Sequence, residues 1–164
     1  MAISSNNLTD TTGIHLTKDA FVVIIKTEWN AHVISILEQG CKEILEQHQV
    51  AYLVLEVPGA FEIPFAVNKY WCVAKEKNTS KLPDAFIALG CVIRGDTPHF
   101  EYVCEGLTQG IMNLNTTLPV PVIYGVLTVN NQLQADERLG GSHGHKGKEA
   151  AAAAVKMIAF SQSL

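Results

Sequence analysis

The chain has 164 residues, 12 Lys and Arg against 16 Asp and Glu for a formal net charge of −4, and 48% apolar against 17% charged positions. A chain of this length buries about 70% of the surface it exposes when unfolded, so its core needs neither disulfide staples nor a structural metal. The mildly acidic balance, without a Lys/Arg-dense stretch, argues against a dedicated nucleic-acid or anionic-membrane surface.

Residues 1–12 are Ser/Asn/Thr-rich and read as a flexible arm ahead of one domain over 13–164; Met1–Asp10 lacks the basic and apolar regions of a signal peptide. Gly13-Ile14-His15-Leu16 is a short extended candidate. Ala20–Ile25 is a continuous apolar run suited to a strand buried on both faces. A helical period follows, with Val33, Ile34, Leu37, Cys41, Ile44 and Leu45 on one side and Glu38, Lys42, Glu43 and Glu46 on the other.

The strand–helix pair repeats as Tyr52–Val57, a Pro58-Gly59 break and a helix over Phe61–Lys77, closed by a surface loop at Asn78–Lys81. A third strand, Ala85–Val92, leads through Arg94-Gly95-Asp96-Thr97 into a helix that starts at Pro98, with Thr97 as its cap and His99 in its first turn. A fourth, Val120–Leu127, precedes a helix over Gln132–Arg138, a Gly-rich turn and a last helix, Gly147–Phe160, with five consecutive alanines. Alternation of this kind implies a four-stranded parallel sheet with helices on both faces, a three-layer, flavodoxin-like α/β fold.

Ligands of such sheets bind beyond the carboxyl ends of the strands, here the turns Lys26–Asn30, Pro58–Glu62, Ile93–His99 and Thr128–Asn131. No G-x-G-x-x-G and no Walker A loop is present. The third turn offers an anion site at a helix start, with Gly95 permitting close backbone approach and His99 able to move a proton near neutral pH. Trp29 offers a stacking face, although taken singly it reads as a packing residue; Glu62 and Arg138, taken singly, read as residues that suit a helix dipole. The four cysteines, without a C-x-x-C pair, read as buried free thiols of a reducing cytoplasm, and His143 with His145 gives only a weak metal hint.

Taken together, the turns resemble the 6,7-dimethyl-8-ribityllumazine synthase family from about Ala20 to Ile158. The blocks that carry the resemblance are Val57-Pro58-Gly59-Ala60-Phe61-Glu62-Ile63-Pro64, Ile93–Tyr102, Tyr124-Gly125-Val126-Leu127-Thr128, Gln134-Ala135-Asp136-Glu137-Arg138 and Lys146-Gly147-Lys148-Glu149-Ala150-Ala151. The resemblance implies condensation of 5-amino-6-(ribitylamino)uracil with 3,4-dihydroxy-2-butanone 4-phosphate, without cofactor or metal. It puts Trp29, Asn30, Gly59, Ala60, Phe61, Glu62, Val92, Ile93, Tyr124 and Lys146 on the pyrimidine and ribityl chain. Asp96, Thr97 and Arg138 fall on the phosphate, and His99 on proton transfer. Tyr124, Arg138 and Lys146 occupy positions supplied by a neighbouring subunit, which implies a pentamer and, given the uninserted 138–147 loop, an icosahedral shell; riboflavin synthase is the implied partner enzyme. The chain departs from the family pattern at Asp96, Tyr124 and His145. The competing classes are a flavin- or lumazine-holding module and a shell protein of the same fold.

Overall fold

The computed structural model describes residues 8–79 and 81–164. Four strands, β1 (Phe21–Thr27), β2 (Ala51–Val57), β3 (Ala85–Ile93) and β4 (Val122–Val129), form one parallel sheet in the order β2-β1-β3-β4. The apolar runs at 20–25 and 85–92 become the two central strands, and the first seven residues of β3 are all buried. The four-stranded, three-layer α/β architecture expected from the sequence is the one observed.

Helices α1 (Ala31–Gln47) and α5 (Lys146–Ser163) cover one face, where Cys41, Leu45, Ala151, Val155 and Ile158 meet Ile24, Ile87 and Leu89. On the other face, α2 (Ile63–Glu76) and α3 (His99–Thr117) place Val67, Trp71, Leu107 and Ile111 against Val23, Ile25, Phe86 and Ala88. The alanine run allows α5 to lie close to the sheet: a Cβ on Gly125 would stand 3.0 Å from Ala150 Cβ and 2.7 Å from the Ala88 carbonyl. Helix α1 also packs closely on the start of α5, since a Cβ on Gly40 would fall 2.3 Å from the ring of His145, the residue that caps α5.

Several boundaries differ from the sequence reading. Gly13–Leu16 is not a strand: a turn at Thr12 and Gly13, with Gly13 at φ 76° and the Ile14 N–H donating to the Thr11 carbonyl at 3.1 Å, leads into an irregular stretch whose Ile14 and Leu16 pack on the core. Within the arm, Thr11 Oγ1 lies 2.8 Å from His48 Nε2 at the end of α1; residues 1–7, like Ser80 of the 78–81 loop, lie outside the described residues. Strand β4 begins two residues later than expected and runs through Thr128 and Val129, while α4 is short (Gln132–Asp136) and leaves Arg138 beyond its end. The Gly-rich turn is an antiparallel pair, β5 (Leu139–Gly141) with β6 (Gly144–His145), made possible by positive φ at Gly140 and Gly144.

The sequence reading buries all four cysteines, and only Cys41 and Cys91 are buried; Cys72 is exposed and Cys104 partly so. Burial pushes the Cys41 thiol up to about 12 and the Cys91 thiol up to about 11, which makes both inert at neutral pH.

Candidate active site

The chain reverses direction across the sheet between β1 and β3, and a crevice opens there beyond the carboxyl ends of the strands. A cleft of about 800 Å³ occupies it, walled by the turns that follow β1, β2 and β3. Of the sequence-predicted residues, Trp29, Asn30, Gly59, Ala60, Phe61, Glu62, Val92, Ile93, Thr97 and His99 line this cleft.

The first turn is held from both neighbours. The Glu28 and Trp29 N–H groups donate to the carbonyls of Val57 (2.9 Å) and Pro58 (3.4 Å). Asn30 adopts the left-handed conformation, φ 59° and ψ 43°, which asparagine tolerates better than most residues, and its Nδ2 donates to the Cys91 carbonyl at 2.8 Å. These bonds leave Trp29 on the rim, 73% exposed, so it is not the packing residue that a tryptophan in isolation suggests. The chain's other tryptophan, Trp71, is the one in the core.

The second turn is a 3₁₀ segment, Ala60–Glu62, that runs directly into α2. Phe61 is 61% exposed, with one edge of its ring seated on α3 where a Cβ on Gly106 would come within 2.7 Å. Glu62 folds back over Gly59, whose Cβ would stand 3.0 Å from Oε2. An apolar floor of Ala60, Val92 and Ile93 thus meets a carboxylate and an aromatic ring at the cleft mouth.

At the third turn the helix starts one residue later than the sequence reading places it. Pro98, with ψ 0°, holds the cap position in place of Thr97, and its carbonyl accepts from Glu101 N–H at 3.1 Å in a tight first turn. His99 is therefore the first helical residue rather than the second. Thr97 and His99 line the cleft, and Asp96 is exposed and lines neither this cleft nor the second one described next.

The remaining three predicted residues lie elsewhere. Tyr124, Arg138 and Lys146 line a second concavity of about 530 Å³ along the outer edge of β4, with Thr128, Gln134 and His143. There Arg138 grips Glu149 through two parallel bonds, Nη1 to Oε1 at 2.9 Å and Nη2 to Oε2 at 2.6 Å, and Nη1 also donates to the His143 carbonyl. The β5–β6 pair brings the next cation alongside, since the Lys146 N–H donates to the Arg138 carbonyl at 2.8 Å. Burial holds the Lys146 ammonium below the usual lysine range, and Arg138 adds to that shift while Glu149 opposes it. Burial likewise raises the Tyr124 phenol. Glu137 also lines the concavity, so two carboxylates stand against the two cations there, and the donors available to an anion are the outer edge of the Arg138 guanidinium and the Lys146 ammonium.

Sequence reasoning missed Glu149, which sits three residues after Lys146 in the first turn of α5 and reads there as an ordinary dipole-compatible acid. It also missed the aromatic wall from α3, Phe100 and Tyr102. The i+3 spacing of Tyr102 from His99 was the available signal for one of them; Phe100, adjacent to His99, carried none.

A profile of the 6,7-dimethyl-8-ribityllumazine synthase family matches residues 19–162. The 6,7-dimethyl-8-ribityllumazine synthase of Porphyromonas gingivalis is 45% identical over 162 residues, covering 96% of each chain. That of Bacteroides fragilis is 46% identical, covering 86% of this chain and 96% of its own. The enzyme of Flavobacterium psychrophilum is 40% identical over 96% of this chain and 82% of its own. The chain belongs to the 6,7-dimethyl-8-ribityllumazine synthase family. Every block that carried the resemblance falls inside the matched span, and most residues of both concavities come from those blocks, with Trp29, Asn30 and Val92 among those added from outside them. Among the described residues of this family member no helix is long and apolar enough to cross a membrane.

Proposed function

We propose that the protein is a 6,7-dimethyl-8-ribityllumazine synthase that joins 5-amino-6-(ribitylamino)uracil to 3,4-dihydroxy-2-butanone 4-phosphate. The observation that carries the reading is the single cleft in which an exposed stacking face, Trp29, and the start of a long helix, Thr97 to His99, sit on separate turns. A condensation of two unlike substrates needs such a division.

In this reading the pyrimidine stacks on Trp29, with its ring edges toward Val92 and Ile93 and its polyol chain along Ala60, Phe61 and Glu62. The ketone phosphate lies at the start of α3, where unpaired N–H groups and the helix dipole favour an anion. The amine of the pyrimidine attacks the ketone carbonyl and water leaves to give an imine. Loss of a proton from the hydroxyl-bearing carbon expels phosphate and leaves an enol, which tautomerises to a second carbonyl; the ribityl-bearing nitrogen adds to that carbonyl, and a second water leaves as the ring closes. His99 moves the protons these steps require, and holding the two reactants in line supplies about 7–11 kcal/mol of the barrier reduction. The reaction in this reading runs without a cofactor.

Tyr124, Arg138 and Lys146 complete the site from an adjacent copy. Their location in a concavity apart from the main cleft supports this, because a cation for the phosphate is otherwise lacking on that rim. A ring of five copies, closing further into an icosahedral shell, is the assembly we assign, acting in the cytoplasm beside a riboflavin synthase that consumes the product.

Mixing the purified protein with both substrates and following lumazine absorbance tests the activity; a rate equal to the uncatalysed background refutes it. Light scattering tests the assembly, and a particle of pentamer mass refutes the shell. Co-assembly of an Arg138→Ala chain with a His99→Ala chain restores activity only if the two residues serve one site from different copies.

A further inference from the structure

Arg94 follows β3 directly and lines neither concavity, yet it gathers more partners than any site residue of the third turn. Its backbone N–H donates to the Val129 carbonyl at 2.8 Å, extending the β3–β4 ladder by one bond. Its Nε donates to Asn130 Oδ1 at 2.9 Å, and Nη1 is paired with Glu101 in the first turn of α3. The guanidinium lies 4.2 Å from the centroid of the Phe100 ring, and Phe100 lines the cleft. Asn130 is itself fixed, its N–H donating to Gln134 Oε1 at 2.8 Å.

We infer that Arg94 is the positioning residue of the third turn, a bracket that sets the spacing of Thr97 and His99 for the phosphate-bearing substrate. The inference rests on the function proposed above. Its physical basis is the character of the bracketed segment: Gly95, Asp96 and Thr97 are exposed, and the space where a Gly95 Cβ would project is open, with no atom within 4 Å. A five-residue span with so little packing keeps one conformation only if its ends are fixed. Arg94 fixes one end to the sheet and the other to residues 100 and 101. Only a planar fork can donate in two directions while lying flat on an aromatic ring; a lysine ammonium cannot. The Arg94 and Glu101 side chains are 41% and 51% exposed, so the pair adds little to global stability and its effect is local.

The test is steady-state kinetics with both substrates, paired with pyrimidine titration by Trp29 fluorescence, on the assembled protein and its Arg94→Lys variant. We expect kcat/KM for the phosphate-bearing substrate to fall about ten- to a hundredfold, because small misplacements of reacting groups have effects of that order. Pyrimidine affinity and melting temperature stay at wild-type values. Wild-type kcat/KM in Arg94→Lys overturns the inference while leaving the function standing, and so does an equal loss for both substrates, which would make Arg94 a fold element. An inactive wild type overturns the function instead. Glu101→Gln provides a second route that does not need Arg94→Lys to fold, since it should reproduce the loss in weaker form; where Arg94→Lys folds, a double variant should be no worse than it by more than about twofold. Full additivity, or a wild-type Glu101→Gln, also overturns the inference.

Discussion

Arg138 and Glu149 face each other fork to fork, at 2.9 and 2.6 Å, with the carboxylate only 6% exposed and the guanidinium 26% exposed. The arginine is thus held from behind by a buried partner while its outer edge stays open to the concavity. Removing either member leaves the other without its counter-charge. Glu149→Ala should therefore cost about 3 kcal/mol, which in a chain of this size lowers the melting temperature by roughly 6–12 °C. Arg138→Lys, which keeps the charge and loses the fork, should raise KM for the phosphate-bearing substrate while pyrimidine affinity holds. Calorimetry and two-substrate kinetics check both; a Glu149→Ala protein that melts with wild type contradicts the buried-bridge reading.

Trp29 stands on the cleft rim and Trp71 in the core, so the two should be separable by fluorescence. Trp29→Ala should lower pyrimidine or lumazine affinity by about tenfold or more and leave stability within about 0.5 kcal/mol, since an exposed side chain contributes little packing. Trp29→Phe should keep most of the affinity. Ligand quenching that survives in Trp29→Ala would show that stacking occurs elsewhere.

His99→Ala should reduce turnover about 10²–10⁴-fold with pyrimidine binding unchanged, because proton transfer is not needed for stacking. Stopped-flow traces corrected for the spontaneous condensation give the comparison. A variant as fast as wild type removes His99 from the reaction.

His145 gives a pH dependence of stability. Its ring lies against Gly40 of α1, and Nδ1 accepts the Lys148 N–H at 3.5 Å, a cap that requires the neutral imidazole. Burial holds its pKa below 6.5 and Lys148 adds to that, opposed by its own backbone bond and by Glu43 and Glu149. A histidine whose folded pKa is depressed binds its proton more readily when unfolded. The stabilisation is thus complete above pH 6.5 and is lost as the pH falls from there through the lower folded value. Thermal melts from pH 7.5 to 5.0 should show a decline that is smaller in His145→Asn, whose side chain caps a helix without titrating. Identical slopes in the two proteins would exclude His145 as the source.

The apolar runs at β1 and β3 and the amphipathic period of α1 determined the parallel sheet and its layers, because burial on both faces leaves those segments no other stable arrangement. The turn residues were legible for the same reason: once the strands alternate with helices, the crevice can lie only at their carboxyl ends. Composition and spacing did not show that Trp29 is exposed, because exposure depends on the Val57, Pro58 and Cys91 carbonyls that hold its turn, two of them contributed by β2 and β3. Nor could they reveal the Arg138–Glu149 bridge or the Arg94 bracket. Each joins residues on different elements, and a side-chain charge reads the same in sequence whether its partner is water or a buried carboxylate. Only the β5–β6 turn, which carries Arg138 and Lys146 back onto α5, and the meeting of β3, β4 and α3 around Arg94 decided which charges would be paired.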